Sequence, residues 1–356
     1  MKKKILAAAL AGMMAFGIGF STQTQAATRD EISAIKVTKS AKFSYWSKDS
    51  KAKQELIEYV KDVTNKSSKN FIPVKDRIAV FDIDGTLTCE TAPFSFDFMM
   101  FIHRALDDPN YKASAIDREN AEAVKAAIYN KKMTNDVRRK HCLSNASVFA
   151  GMTPAEYADY TKNYFNTPVE GFTNLKVGEI FYLPMVEVVS YLRANDFKIF
   201  LVTGADREYA RILTEVLEVD SDNIIGTDYK YVAENQGDID GMDYVYKTTD
   251  KLVRGDFVSK NININKVNLM AREIGKQPVL AFGNSSGDFS MFNYTSTNPK
   301  YKTKIFVLLC DDTEREFGKP ASAEKMQKAA AENGWIAVSM KNDFKTIYGN
   351  KIKREK

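Results

Sequence analysis

The apolar positions of the chain fall into two alternating patterns. Short continuous runs predict strands that are buried on both faces of a sheet, and they lie at 77–81, 198–202, 278–282, 304–309 and 335–340. Apolar residues at helical spacing predict the helices, at 51–65, 117–130, 155–165, 184–194, 207–217, 266–274 and 322–332. Repeated strand–helix units of this kind predict an α/β fold with a doubly wound, mainly parallel sheet.

Two stretches interrupt the alternation. Residues 91–182 lack short β-type runs and contain helical patterns, which predicts a helical insertion after the first strand. Residues 228–262 are polar with scattered aromatics, and they predict a small β excursion within the core. We therefore expect an amino-terminal arm and helix at 27–72, whose first part has few structure signals, and a core formed by 73–90 and 183–350.

The first 26 residues have the three-part pattern of a secretory signal. A basic start, Lys2-Lys3-Lys4, precedes an apolar stretch from Ile5 to Phe20 and a small, polar end, Thr24-Gln25-Ala26. The apolar stretch is short for a membrane span. We expect cleavage near Ala26 and export to the periplasm or the cell exterior, with no membrane span in the mature chain; the alternative is an uncleaved anchor.

Composition narrows the chemistry. Loss of three lysines with the signal leaves 48 of the 51 basic residues against 46 acidic ones, a net charge of +2, so no nucleic-acid partner is expected. The two histidines, His103 and His141, exclude a multi-histidine metal site. Three cysteines, Cys89, Cys142 and Cys310, are too few for a disulfide framework, although one pair could bridge. The chemistry is left to carboxylates, hydroxyls and lysines.

The strongest chemical signal follows the first predicted strand. Asp82 and Asp84 end that strand and run into the turn Gly85-Thr86. Side chains two apart on a strand point to the same side, so both acids can converge on one point. Such a pair suits a carboxylate nucleophile and a second, acid/base carboxylate, with a hard divalent cation holding a phosphate between them.

Three later segments could complete this site, because ligands bind at the carboxyl ends of strands in open α/β sheets. Thr203-Gly204 ends a strand before a helix and could hold a phosphate oxygen. Asn284 and Asp288 are oxygen donors on a glycine-containing loop, suited to a hard cation. Lys266 opens the helix before that strand and could neutralise phosphate charge. When each segment is taken singly, turn chemistry accounts for the Asn284–Asp288 loop equally well, and turn chemistry or a solvated surface accounts better for Thr203-Gly204 and Lys266.

The order of these motifs resembles the four-motif series of the haloacid dehalogenase-like hydrolase superfamily. The series is Asp82-x-Asp84-Gly-Thr, strand–Thr203-Gly204, Lys266, and Gly-Asn284-x-x-Gly-Asp288. Further segments are similar to one exported bacterial branch of phosphoserine and phosphorylcholine phosphatases, at 46–64, 77–82, 184–185, 274–278, 281–291 and 334–343. The resemblance implies a Rossmann-like core with a helical cap at 91–182.

The resemblance also implies roles for individual residues. Asp82 matches the nucleophile and Asp84 the general acid/base, and both would bind the Mg²⁺ cofactor with Asp288. Asn284 stands where the wider superfamily usually has aspartate, which removes one charge from the metal site. The phosphate-binding residues that match the motifs are Thr203, Gly204 and Lys266.

Substrate choice is expected to lie in the insertion. Glu90 could bind a cationic substrate group such as an amine or choline, and the aromatics that could assist by cation–π contact are Phe94, Phe96, Phe98 and Phe101. The alternative is that these aromatics form the core of the cap and that Glu90 is a solvated or structural carboxylate. The period-two spacing of Phe94, Phe96 and Phe98 suits an extended segment.

The function predicted from the sequence is an exported, Mg²⁺-dependent phosphomonoesterase that works through an aspartyl-phosphate. Its partner would be a small phosphorylated metabolite, such as phosphocholine or phosphoserine, or a broad range of esters. Asp84 favours a phosphatase, because the superfamily's ion pumps usually have threonine at this position and its dehalogenases lack the second aspartate. The alternatives are a phosphotransferase and a non-catalytic exported binding module on the same fold.

Overall fold

The computed structural model describes residues 26–349 together with 352, 354 and 355. Of the predicted signal segment only Ala26 belongs to this part of the chain, so the prediction of a signal lies outside the described residues. Within the described part, no helix combines the length and the apolar character that crossing a membrane requires.

The strands of the described chain form one sheet of seven strands, in the order β4-β3-β2-β1-β5-β6-β7. Neighbouring strands are parallel except for β4, which is antiparallel to β3. The predicted mainly parallel α/β fold is therefore confirmed. The strands are β1 Ile78–Phe81, β2 Lys198–Asp206, β3 Ile224–Ala233, β4 Leu252–Ser259, β5 Leu280–Gly283, β6 Lys304–Leu309 and β7 Ile336–Ser339.

Helices cover both faces of the sheet. Most of those predicted from spacing are present within one or two residues, and several begin at a Ser or Thr that caps the first turn, as Ser50, Ser114 and Thr153 do. The helices are α1 Arg29–Ser33, α2 Lys51–Thr64, α3 Phe96–Ile102, α4 Ala115–Tyr129, α5 Asn135–Val148, α6 Pro154–Tyr164, α7 Leu183–Ala194, α8 Arg207–Thr214, α9 Ile264–Ile274, α10 Phe289–Ser296, α11 Pro320–Asn333 and α12 Met340–Asp343.

The centre of the sheet is held by an aromatic ladder. The rings of Phe81 and Phe282 stack with centroids 4.2 Å apart, and those of Phe282 and Phe306 with centroids 5.0 Å apart. These residues lie on the adjacent strands β1, β5 and β6. Each buried ring adds packing and aromatic contact, so the ladder fixes the strands whose carboxyl ends carry the candidate residues.

The amino-terminal arm is more ordered than its polar sequence indicated. It contains the short helix α1, and the indole Nε1–H of Trp46 donates to the Pro184 carbonyl. The backbone N–H groups of Ser44 and Tyr45 donate to the buried carboxylate of Glu187 on α7. These partners are distant in sequence, which is why local patterns gave few signals for the arm.

The insertion contains the helices α3 to α6, in agreement with its predicted helical character. The expectation of an extended segment at Phe94, Phe96 and Phe98 is wrong, because Ser95 precedes helix α3 and the last two rings lie on that helix. Phe96 and Phe98 are buried. Their period-two spacing resulted from a helix that is buried nearly all round, where periodicity carries little information.

The cysteines form no disulfide. Cys89 and Cys142 are buried and Cys310 is half-buried, and all three thiols are free. Burial raises the pKa of both the Cys89 and the Cys142 thiols, which keeps them protonated.

Candidate active site

Asp82, Lys266 and Asp288 form the centre of the candidate site. Asp82 directly follows β1, Lys266 lies on α9, and Asp288 precedes α10. The Lys266 ammonium donates to Asp82 Oδ1 at 2.8 Å, to Asp288 Oδ1 at 2.7 Å and to the Val202 carbonyl at 2.7 Å. All three charged side chains are buried, so the ammonium links the two carboxylates at the carboxyl edge of the sheet.

The turn after Asp82 requires a glycine. Gly85 has φ +76°, and its N–H donates to the Thr88 carbonyl at 2.7 Å. A Cβ at this position would lie 1.9 Å from Asn284 Nδ2 and 2.7 Å from Glu90 Oε2. The glycine therefore permits both the left-handed backbone and the close approach of Asn284. This turn leaves Asp84 half-buried on the wall of the cavity.

Asn284 contacts Glu90. Its Nδ2 donates to Glu90 Oε2 at 3.0 Å, and its backbone N–H donates to Asp288 Oδ2 at 3.1 Å. The N–H of Ser285 donates to the same Asp288 oxygen at 3.1 Å. The loop thus positions Asp288 by its backbone and Glu90 by its asparagine side chain.

The Thr203-Gly204 segment lies differently from the other candidates. Thr203 is fully buried on β2, and its hydroxyl accepts from the Ala205 N–H at 3.0 Å. Gly204 lines the cavity, whereas Thr203 does not. Every other predicted site residue also lines it: Asp82, Asp84, Glu90, Lys266, Asn284 and Asp288. In this structure Gly204 therefore faces the cavity, whereas the buried Thr203 bonds the Ala205 N–H and does not reach the cavity.

Buried negative charge dominates the electrostatics. Burial, and after it the neighbouring Asp288, raises the pKa of Asp82 to about 7, although Lys266 opposes this shift. Burial followed by Asp97 and Asp82 raises the pKa of Asp84 well above its usual value. Burial lowers the pKa of Lys266, but Asp288 and Asp82 outweigh it and the net shift is upward. Lys266 therefore stays charged, and the negative charge of the surrounding carboxylates is not fully balanced by nearby cations.

The donor set suits Mg²⁺. The candidate ligands Asp82, Asp84 and Asp288 offer only oxygen donors, which a hard cation prefers. No three His, Cys, Asp or Glu side chains of the described residues lie close enough together to hold a metal by themselves. A cation here would therefore combine two carboxylates with carbonyl, water or phosphate oxygens, as Mg²⁺ does, and it would offset the excess negative charge. The fourth candidate, Asn284, has its amide N–H engaged by Glu90.

The cavity above this centre has a volume of about 480 Å³. Four charged residues that the sequence reasoning did not select also line it: Asp97, Arg138, Lys260 and Lys319. Asp97 accepts backbone N–H bonds from Phe98 at 2.9 Å and from Asp206 at 3.4 Å. No motif marks these four positions, because they reach the cavity from separate elements of the fold.

Solved structures match this chain with low sequence identity and with TM-scores below 0.5. One is a protein of unknown function from Bordetella pertussis Tohama I, with 16% identity, 74% of this chain and 97% of that chain covered, and a TM-score of 0.47. A phosphoserine phosphohydrolase-like protein from Francisella tularensis has 14% identity, coverages of 74% and 94%, and a TM-score of 0.37. A probable phosphoserine phosphatase from Vibrio cholerae has 13% identity, coverages of 76% and 62%, and a TM-score of 0.39. A comparison with curated proteins finds no significant match.

The family itself is established by a sequence model. The model for haloacid dehalogenase-like hydrolases matches residues 79–293, which is more than half of the 356 residues. The match extends from β1 into α10 and includes Asp82, Lys266 and Asp288. The superfamily and the hydrolase class predicted from the motif order are thereby confirmed. The chain belongs to the haloacid dehalogenase-like hydrolase family.

Proposed function

We propose that this protein is a Mg²⁺-dependent phosphomonoesterase that acts through a phosphorylated Asp82. The observation that carries the proposal is the buried Asp82–Lys266–Asp288 cluster at the floor of the cavity, with Asp84 on its wall. A nucleophilic carboxylate, an acid/base carboxylate and a fixed cation are the groups that phosphoryl transfer through an enzyme intermediate requires.

In the first step an Asp82 carboxylate oxygen attacks the phosphorus of the ester. The new bond forms between Asp82 and phosphorus, and the bond from phosphorus to the ester oxygen breaks. Protonated Asp84 gives its proton to the departing alkoxide, which leaves as an alcohol. Its raised pKa supports this role, because the acid form must be populated near neutral pH.

In the second step water attacks the phosphorus of phosphorylated Asp82. Asp84, now ionised, takes a proton from that water, and the bond between Asp82 and phosphorus breaks to release inorganic phosphate. Lys266 balances the charge of the transferring phosphoryl group, and the Gly204 backbone orients it. Bound Mg²⁺, held by Asp82, Asp288 and the Asp84 carbonyl, would supply further charge neutralisation.

A small ester and an exported location complete the proposal. The cavity of about 480 Å³ supports a small organic phosphate rather than a macromolecule. The helices within 91–182 would act as the cap that excludes bulk water. The secretory pattern of residues 1–26 supports export. Because cleavage would remove that segment, the mass of the protein recovered from the periplasm or the medium tests this part of the proposal.

The test is phosphate release from an aryl phosphate by the mature chain, with Mg²⁺ and with EDTA. We expect metal-dependent turnover that D82N abolishes, with an acyl-phosphate trapped on the wild-type protein that hydroxylamine cleaves. The matched control is D256N, whose carboxylate is highly exposed on β4 and whose loss should leave turnover unchanged. Binding of esters without turnover in any metal would favour the non-catalytic module, and transfer to added alcohols in preference to water would favour a phosphotransferase.

A further inference from the structure

Three cations line the cavity without a carboxylate partner. Lys260, Arg138 and Lys319 form no ion pair within 4.0 Å among the described residues. Within the described part of the chain, the Arg138 guanidinium donates only to the Met133 carbonyl, at 3.3 Å. Lys260 and Arg138 are half-buried, and Lys319 is exposed. Most half-buried cations in folded proteins are paired, so Lys260 and Arg138 without a direct partner in this cavity indicate an anion that arrives with the ligand.

The acids of the same cavity are engaged elsewhere. Asp82 and Asp288 bond Lys266, and Glu90 accepts from Asn284. Asp97 accepts from two backbone N–H groups. Arg138 and Lys319 act on Glu90, and Lys260 acts on Asp84 and Asp97, through space and not by direct contact. Among the described residues the Lys260 ammonium has no ion-pair partner within 4.0 Å, so its hydrogen-bond donors are left for a ligand.

Lys260 is the best fixed of the three. The next residue, Asn261, is fully buried, and its Nδ2 donates to the carbonyls of Thr203 at 2.9 Å and Ile225 at 3.2 Å. The Lys260 carbonyl accepts from Asn265 Nδ2 at 2.9 Å. These bonds hold the loop between β4 and α9 against β2 and the start of β3, so Lys260 extends from a fixed backbone.

The side chain of Lys260 points to the leaving-group side of the cavity. Its ammonium lies 4.9 Å from the centroid of the Phe98 ring. It is also close enough to Asp84 and Asp97 to lower the pKa of both carboxyls, against the larger effect of their burial. Since Asp84 is the proposed donor to the departing alcohol, a substituent of that alcohol would lie beside Lys260.

The aromatic residues do not form a cage for a cationic substituent. Phe98 stacks on the buried His141 with centroids 3.6 Å apart, and Lys260 approaches the same ring. Phe96 and Phe101 are buried, and Phe94 is left as the half-buried aromatic that meets Phe98 edge-on. A second cation placed against Phe98 would also meet the charge of Lys260, which disfavours it.

We propose, on the basis of the phosphomonoesterase function above, that the substrates are esters whose alcohol carries a second anionic group, and that Lys260 binds that group. The group is a carboxylate or a second phosphate, because an ammonium recognises either by charge-assisted hydrogen bonds. Arg138 and Lys319 add positive potential to the same cavity. Lys260 thus acts as a specificity-determining residue.

The experiment compares matched esters that differ in one anionic group. Phosphoserine and phosphoethanolamine differ by a carboxylate, and fructose 1,6-bisphosphate and fructose 6-phosphate differ by a phosphate. We expect wild-type kcat/KM to favour the more anionic member of at least one pair by about tenfold or more. The pair that shows this preference identifies the anion as carboxylate or phosphate.

The variant K260M should raise KM for the favoured ester about tenfold more than KM for its less anionic partner, because an effect of the lost charge on Asp84 would act on both esters alike. K260R, which keeps the charge, should restore most of the preference. The control is K247M, a lysine on the exposed part of the β excursion outside this cavity, which should retain wild-type preference. Equal use of both members by the wild type, or equal loss on both in K260M, would overturn the proposal.

Failure of the catalytic function gives a different result. If no ester is hydrolysed in any metal, the phosphomonoesterase proposal falls, and calorimetric binding of the same pairs to the D82N protein still measures anion preference. Tighter binding of the more anionic member, reduced in D82N/K260M, would support the assignment of Lys260. Equal binding of both members would overturn it.

Discussion

The buried ion pair between Arg254 and Asp206 joins the insertion to the sheet, and its removal gives a sharp stability prediction. Arg254 on β4 is 2% exposed and Asp206 at the end of β2 is 1% exposed. The guanidinium bonds Asp206 Oδ2 and lies between the rings of Tyr157 and Tyr229, at 4.6 and 3.9 Å from their centroids. The same carboxylate oxygen accepts from Tyr157 at 3.0 Å and from Asn145 at 3.2 Å.

The magnitude follows from the charge that each single change leaves behind. R254M leaves a buried carboxylate with only neutral donors, and D206N leaves a buried guanidinium supported by two aromatic rings. Each should lower the free energy of unfolding by about 3–5 kcal/mol, because an uncompensated buried charge remains. In R254M/D206N no buried charge remains, so the double variant should cost about as much as one single change. The expected coupling is therefore about 3 kcal/mol or more.

Urea unfolding of the four proteins measures this coupling from the extrapolated free energies. The control cycle uses Lys230 and Asp256, an exposed pair on β3 and β4 with a nitrogen–oxygen distance of 3.8 Å; its coupling should stay below about 1 kcal/mol. The reasoning is wrong if the stability losses of R254M and D206N add up, within about 0.5 kcal/mol, to the loss measured for the double variant.

Three further outcomes are expected. Burial raises the pKa of Glu187 to about 7 against the opposing N–H donors of Ser44 and Tyr45, so the folded state holds an extra proton above the unfolded pKa of about 4.5. Wild-type stability relative to E187Q should therefore fall by up to about 3 kcal/mol as the pH rises from 4.5 to 7, and a flat difference in urea midpoints would contradict this. G85A should cost about 2–4 kcal/mol in urea unfolding, from left-handed strain and displacement of Asn284, whereas a loss under 1 kcal/mol would refute that steric account. Mg²⁺ at 100 times its Kd should raise the unfolding free energy by about 2.7 kcal/mol, and EDTA should reverse the corresponding rise in Tm; no change in Tm would argue against the metal site.

The sequence was most informative where a motif follows a strand. Parallel strands place their carboxyl ends at one edge of a sheet, so residues after β1 and β5 had to approach one another once the strand order was known. Asp82 and Asp288 accordingly share the ammonium of Lys266. The lysine itself was selected by its place in the motif order, since several nearby lysines had the same local pattern.

The unpredicted residues depend on contacts between distant parts of the chain. Arg138, Lys260 and Lys319 come from α5, the loop after β4 and the residue before α11, and no local pattern reveals that they line one cavity. The arm was missed for the same reason, because its partner Glu187 lies more than 140 residues away. Local periodicity predicts which face of an element is buried, but not which element covers it.

The asparagine at 284 can be explained by charge rather than by loss of function. An aspartate there would place two carboxylates at the 3.0 Å separation that now joins Asn284 Nδ2 to Glu90 Oε2. Burial already raises the pKa of Glu90, against the stabilising effects of Lys319 and Asn284, and a second negative charge would raise it further. The amide instead donates a hydrogen bond and keeps Glu90 in place. Asparagine at position 284, where the superfamily usually has aspartate, is therefore explained by the neighbouring carboxylate of Glu90. The two side chains form one hydrogen-bonded pair at the cavity wall.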